Sequence, residues 1–126
     1  MGLRPLITAL VSLVFCARNE AHLAHWNTDS LSEHLALGEF YDAVLGPLDE
    51  LVEAYTAAFG KIGKDIPEDE DDEETDKPIL DRLKENTKWI NTNRSKICRN
   101  VSALENIVDE LSGVYLKAIY KLENLH

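Results

Sequence analysis

Three of the chain's four histidines, His22, His25 and His34, fall within thirteen consecutive positions, and two carboxylates, Asp49 and Glu53, follow at a spacing of four. Imidazole nitrogen and carboxylate oxygen together make the donor set that iron, zinc and manganese accept. Acids at i and i+4 share one face of a helix, so both can turn toward the same ion. His22 stands one turn before His25 and is a further candidate donor.

The elements that must position these groups read as four helices in one domain over 1–126, an all-α chain. The first runs over 5–27, opening on Pro5, a residue suited to a first helical turn. Thr28-Asp29-Ser30 is a tight turn, and Ser30-Leu31-Ser32-Glu33 has the form of a capping box that starts the second helix, 30–60. Its apolar stripe is Leu37, Tyr41, Leu45, Leu48, Val52, Tyr55 and Phe59. Pro47 interrupts it, and because the stripe keeps phase across the proline, a kink between Ala43 and Pro47 is expected. The third helix covers 77–98. The fourth covers 102–124, opened by a second capping box, Ser102-Ala103-Leu104-Glu105, with Leu104, Val108, Leu111, Tyr115, Ile119 and Leu122 facing inward.

Between the second and third helices lies a linker, 61–77, in which eight of the nine residues 68–76 are acidic. Such a run repels itself and stays solvated. Short turns make the flanking helix pairs antiparallel. The linker, extended, reaches up to about 55 Å, and a helix of this length is roughly 33–42 Å long. It can therefore cross the whole bundle and leave the second and third helices parallel, as in a ferritin-like four-helix bundle.

That plan decides which donors can meet. The short turn brings His25 and His34 together, but Asp49 lies fifteen residues past His34, about 22 Å along the axis. A single chain cannot close one site from all four. Two chains can, if their second helices pack antiparallel about a two-fold axis, with His34 of one copy facing Asp49 and Glu53 of the other.

The string His25-Trp26-Asn27, then His34, Tyr41 and Asp49-Glu50-Leu51-Val52-Glu53, resembles the signature of the Dps-type mini-ferritins over about thirty residues. The wording from Glu33 to Tyr41 is also similar to uncharacterised Dps-like proteins of tailed phages. The resemblance implies a ferritin-like fold and a ferroxidase centre between subunits, oxidising Fe2+ with peroxide or oxygen. Its ligands would be His25 and His34 of one chain and Asp49 and Glu53 of its partner, in a homo-oligomer that ranges from a two-fold dimer to a twelve-subunit shell. Iron is the implied metal, with zinc or manganese as alternatives. The chain departs from the pattern at Gly38, where the family often carries another acidic ligand; Glu39 and Asp42 are the candidates to replace it. The linker lacks the small helix of that family, and there is no basic tail. The larger ferritins use Glu-x-x-His on two helices of one bundle; here the second half offers Glu105, Asp109 and Glu110 but only His126, at the chain end, so an intrachain di-iron site is not expected.

Charge narrows the partners. The net charge is −10 and no cluster of Lys or Arg appears, so neither nucleic acid nor an anionic membrane surface is expected as a partner. Cys16 and Cys98 stand alone, without metal or redox spacing, and read as small buried hydrophobes. Arg4 followed by Leu6 to Phe15 imitates a signal peptide, but the apolar pattern continues through Ala17, Ala21 and Ala24 as one helix face. A cytoplasmic protein that keeps its first residues is the expectation, in a bacterial host if the chain is phage-encoded. The alternative to a ferroxidase is a metal-free ferritin-like structural or interaction protein, such as a phage protein that binds a host or virion partner, since a bundle can lose its ligands and keep its packing.

Overall fold

Why the second predicted helix bends is set by a single residue. Pro47 has no N–H to give the Ala43 carbonyl, and its ring presses on that carbonyl, a defect worth about 3 kcal/mol in a helix interior. In the computed structural model, which describes residues 5–67 and 77–125, the regular hydrogen bonding lapses at Val44 alone. This divides the segment into α2 (Leu31–Ala43) and α3 (Leu45–Phe59). Val44 keeps right-handed helical dihedrals (φ −77°, ψ −29°), and its N–H bonds to the Phe40 carbonyl at 3.0 Å. The two pieces are one bent helix.

The others are α1 (Leu6–Asn27), α4 (Ile79–Cys98) and α5 (Ser102–Asn124), and no strand occurs among the described residues. Arg4, the acidic run 68–76 and His126 lie outside them. The predicted helix bounds hold to within two residues apart from the break at Val44. Capping differs in detail. The Ser30 hydroxyl accepts from the Glu33 N–H, as expected, but the Ser30 N–H goes to the Thr28 hydroxyl instead of the Glu33 carboxylate. The second capping box does not form: Val101 is the N-cap of α5, and the Glu105 carboxylate is taken by Arg94.

The chain is a four-helix bundle. Cross-links fix its directions. Glu20 pairs with Arg82 while Asn86 reaches back to the Leu13 carbonyl, so α1 and α4 are antiparallel. Ser32 bonds the Leu125 carbonyl and Phe40 meets Tyr115, so α2 and α5 are antiparallel. Lys84–Glu123 and Arg94–Asp109 make α4 and α5 antiparallel. The bent helix and α4 are therefore parallel and start at the same end of the bundle.

The core is centred on Tyr115, fully buried, edge-on to Phe40 with ring centroids 5.0 Å apart. The inward faces of α1 and α5 run through Leu10, Val14, Ala17 and Ala21, and through Leu104, Val108, Leu111 and Tyr115. In the bent helix the buried line is Leu37, Phe40, Val44, Leu48, Leu51 and Tyr55. The predicted stripe was rotated from this. Tyr41, Leu45 and Val52 flank the core, and Tyr41 turns to the α1 histidines instead. By length and composition alone α1 could cross a bilayer; in the bundle its Ile7, Leu10, Val14, Ala17 and Ala21 face the core.

Candidate metal centre

His25 is held in the last turns of α1 and His34 in the first turn of α2, on opposite sides of a three-residue connection. Their imidazoles stack, centroids 3.7 Å apart and planes 18° from parallel. Each ring bonds the other residue's backbone. His25 Nδ1 lies 2.6 Å from the His34 carbonyl oxygen, and His34 Nδ1 lies 2.8 Å from the His25 carbonyl oxygen. A carbonyl only accepts, so both Nδ1 atoms carry the hydrogen. In the neutral rings both Nε2 atoms then present lone pairs, the tautomer a metal-bound histidine takes when its other nitrogen bonds a carbonyl.

Gly38 makes the stack feasible. A Cβ added there would stand 3.0 Å from His25 Cε1 and 3.3 Å from its Nδ1. A side chain at this position would need the His25 ring to give by a few tenths of an ångström.

His22 is arranged differently. Its Nδ1 lies 3.2 Å from Arg18 Nη1, and a guanidinium only donates, so His22 Nδ1 is the acceptor and its hydrogen sits on Nε2. The ring stacks on Tyr41 at 4.1 Å and packs against Trp26 at 4.4 Å. His22 therefore presents a donor where His25 and His34 present lone pairs, and it does not join them as a ligand in this tautomer. Arg18, over the Tyr41 ring at 5.2 Å, was missed in the sequence. The signal was present: it is the sole Lys or Arg between residues 5 and 60, one turn before His22.

The carboxylates lie elsewhere. Asp49 and Glu53 are both exposed and stand together on α3, beside Val11, Phe15 and Ile62, at an open groove of about 280 Å3. Glu39 turns the other way, into an ion pair with Lys121 of α5, and is engaged there. Asp42 is exposed on α2. Among the described residues no group of three or more His, Cys, Asp or Glu side chains converges as a metal site within one chain. In the second half, Glu105 and Asp109 are both bound to Arg94, which bridges them at 3.4 and 2.8 Å.

A family model described as a family of unknown function, DUF5856, matches residues 25–122, from the first stacked histidine to the last buried leucine of α5. The chain belongs to this family. The match covers the histidine pair, the α3 acids and α2 to α5, but only the last three residues of α1. No curated protein and no solved structure matches the chain.

Proposed function

We propose that this chain is a ferritin-like subunit that binds and oxidises Fe2+ at sites shared between two copies. The observation that carries the reading is the reciprocal bonding of His25 and His34. Backbone carbonyls fix both Nδ1–H groups, leaving two oriented Nε2 lone pairs at one end of the α1–α2 hairpin. The single long crossover between parallel second and third helices supports the fold half of the reading, since ferritin-like bundles have that connection. Large apolar side chains exposed around the histidines, Trp26, Leu31 and Leu35, support a contact between copies.

In this reading His25 and His34 of one copy and Asp49 and Glu53 of the other hold iron. The carboxylates favour the harder Fe3+. Two Fe2+ each give one electron to a peroxide; its O–O bond breaks, and two protons complete two waters. Metal competes with protons for the imidazoles, so binding weakens in acid. The test is iron oxidation by tag-free protein. Faster oxidation than in buffer, lost in His34→Ala and in Glu53→Ala and partly recovered when the two variants are mixed and reassembled, supports the reading. No acceleration at neutral pH ends it.

One observation favours the metal-free alternative. Each histidine Nδ1 is already satisfied by a backbone carbonyl, and the stack closes the α1–α2 turn without any ion. On that reading the histidines are a structural clasp and the exposed face serves a protein contact alone. Anaerobic Fe2+ titration followed by Trp26 fluorescence separates the two, because an ion at His25 quenches the neighbouring indole and a clasp gives no response.

A further inference from the structure

The groove beside Asp49 and Glu53 has walls that a metal ion does not need. Val11 and Phe15 of α1 and Val52 of α3 form two of its sides. The third comes from the chain beyond α3. Gly60 and Gly63 take positive φ, 104° and 82°, a region that favours glycine, and the turns they allow bring Ile62 and Ile66 back against the groove. Phe15 stays 45 % exposed there. Asp49 and Glu53 line the same groove one helical turn apart, both exposed. Among the described residues neither carboxylate takes a hydrogen bond or an ion pair, although Lys61 and Lys64 lie on the returning segment.

We infer that this groove binds a small organic cation, a primary amine on an apolar body, with the ammonium at Asp49 and Glu53 and the body between Phe15, Ile62 and Ile66. Every other class of occupant leaves part of the groove unmet. A bare metal ion leaves the apolar walls in water. An uncharged apolar molecule would cover two carboxylates and strip their water without replacing it. An apolar acid would meet like charge, Glu50 included, in a chain of net charge −10. At about 280 Å3 the groove lies just under the range of roughly 300–1,000 Å3 usual for small-molecule sites, so it suits a small ligand and not a helix.

The site does not rest on the iron reading, but it bears on it. The same two carboxylates are those an iron ion would use, so amine and iron would exclude one another. The walls differ in how they are held. Val11, Phe15 and Val52 sit on helices, whereas 60–67 forms neither helix nor strand. The apolar side can therefore adjust to bodies of different length. The carboxylates, fixed at i and i+4 on α3, hold the charged end in one place.

Titration of the full chain with n-hexylamine, followed by the methyl NMR shifts of Val11, Val52, Ile62 and Ile66, tests it, with hexanoate and n-butylamine as comparisons. Hexylamine should shift those methyls and bind at least about tenfold more tightly than hexanoate. It should bind about fivefold more tightly than butylamine, which lacks two of its methylenes. Asp49→Asn and Glu53→Gln, made together at exposed positions, should weaken hexylamine at least about tenfold and leave helical circular dichroism unchanged. Ile66→Ala should weaken hexylamine more than butylamine. Hexanoate that binds as tightly as hexylamine, a double variant that binds the amine as well as wild type, or shifts that miss Ile62 and Ile66 each overturns the inference. Amine binding in protein that does not oxidise iron would keep the groove and remove the iron reading; iron oxidation in protein whose groove methyls do not move would do the reverse.

Discussion

The two hairpins of this bundle use their polar side chains in opposite ways. In α4–α5 they turn to one another: Arg94 bridges Glu105 and Asp109, Lys84 meets Glu123, and Asn86 donates to the buried Tyr115 hydroxyl at 3.0 Å. In α1–α2 the histidines bond backbone carbonyls, and Trp26, Leu31, Leu35 and Asp42 face outward. Both hairpins leave large apolar side chains in solvent, Leu116 and Tyr120 on α5 as well as Leu23, Trp26, Leu31 and Leu35 on α1 and α2, so the contrast between them lies in their polar groups. The core draws on every helix, so the packing of both hairpins is equally needed and only their polar groups tell them apart.

The largest expected effect separates the two directly. His34→Ala should reduce Fe2+ oxidation by at least about a hundredfold, whereas Glu105→Ala, equally acidic ground in the other hairpin, should leave it unchanged; stopped-flow absorbance of ferric product reads both. Equal losses would erase the contrast. Gly38→Asp should act like His34→Ala on iron, because its side chain needs the His25 ring to give way, while helical circular dichroism stays native.

The next effect belongs to the completed hairpin. Burial pushes the Cys98 thiol up to about 11 and raises the Tyr115 phenol as well. The folded thiol holds its proton where the unfolded one has lost it. Its contribution is therefore present in full below about pH 9 and lost as pH climbs through about 11. Urea melts at pH 8 and pH 11, with Cys98→Ala as the less sensitive comparison, check it. Native-state labelling with a thiol reagent should correspondingly modify Cys16, half-buried, long before Cys98.

Smaller still, Tyr115→Phe leaves Asn86 Nδ2 without its buried acceptor and should cost about 1–3 kcal/mol with no change in iron oxidation. Smallest is Arg94→Ala. Its ion pairs lie at the surface, where water and salt screen them. A slight drop in Tm that vanishes in high salt is the expected result, and a large one would mean that the α4–α5 pairs are structural in a way surface ion pairs seldom are.

Local chemistry was enough to place most of the bundle. Periodicity put helices on α1, α4 and α5, Pro47 marked the bend, and the linker's length allowed the crossover, because each depends on neighbours within a turn or on chain reach. The inward face of α5 was legible residue by residue, since its apolar positions contrast with charged ones. On α2 they do not: Leu35, Ala36, Leu37, Phe40 and Tyr41 are all apolar, and the sequence alone favoured a stripe through Tyr41 where the fold buries Phe40. Only packing against Tyr115 selects that face. Likewise the sequence brought His25 and His34 to one turn, yet it could not say that their rings would stack, that Gly38 would make room, or that His22 would take the opposite tautomer from Arg18. Those depend on how far α1 and α2 stand apart and how they are rotated, which is set by core side chains distant in the chain. The residue types and their spacing came from the sequence; which nitrogen of each histidine is offered outward was decided by the tertiary structure.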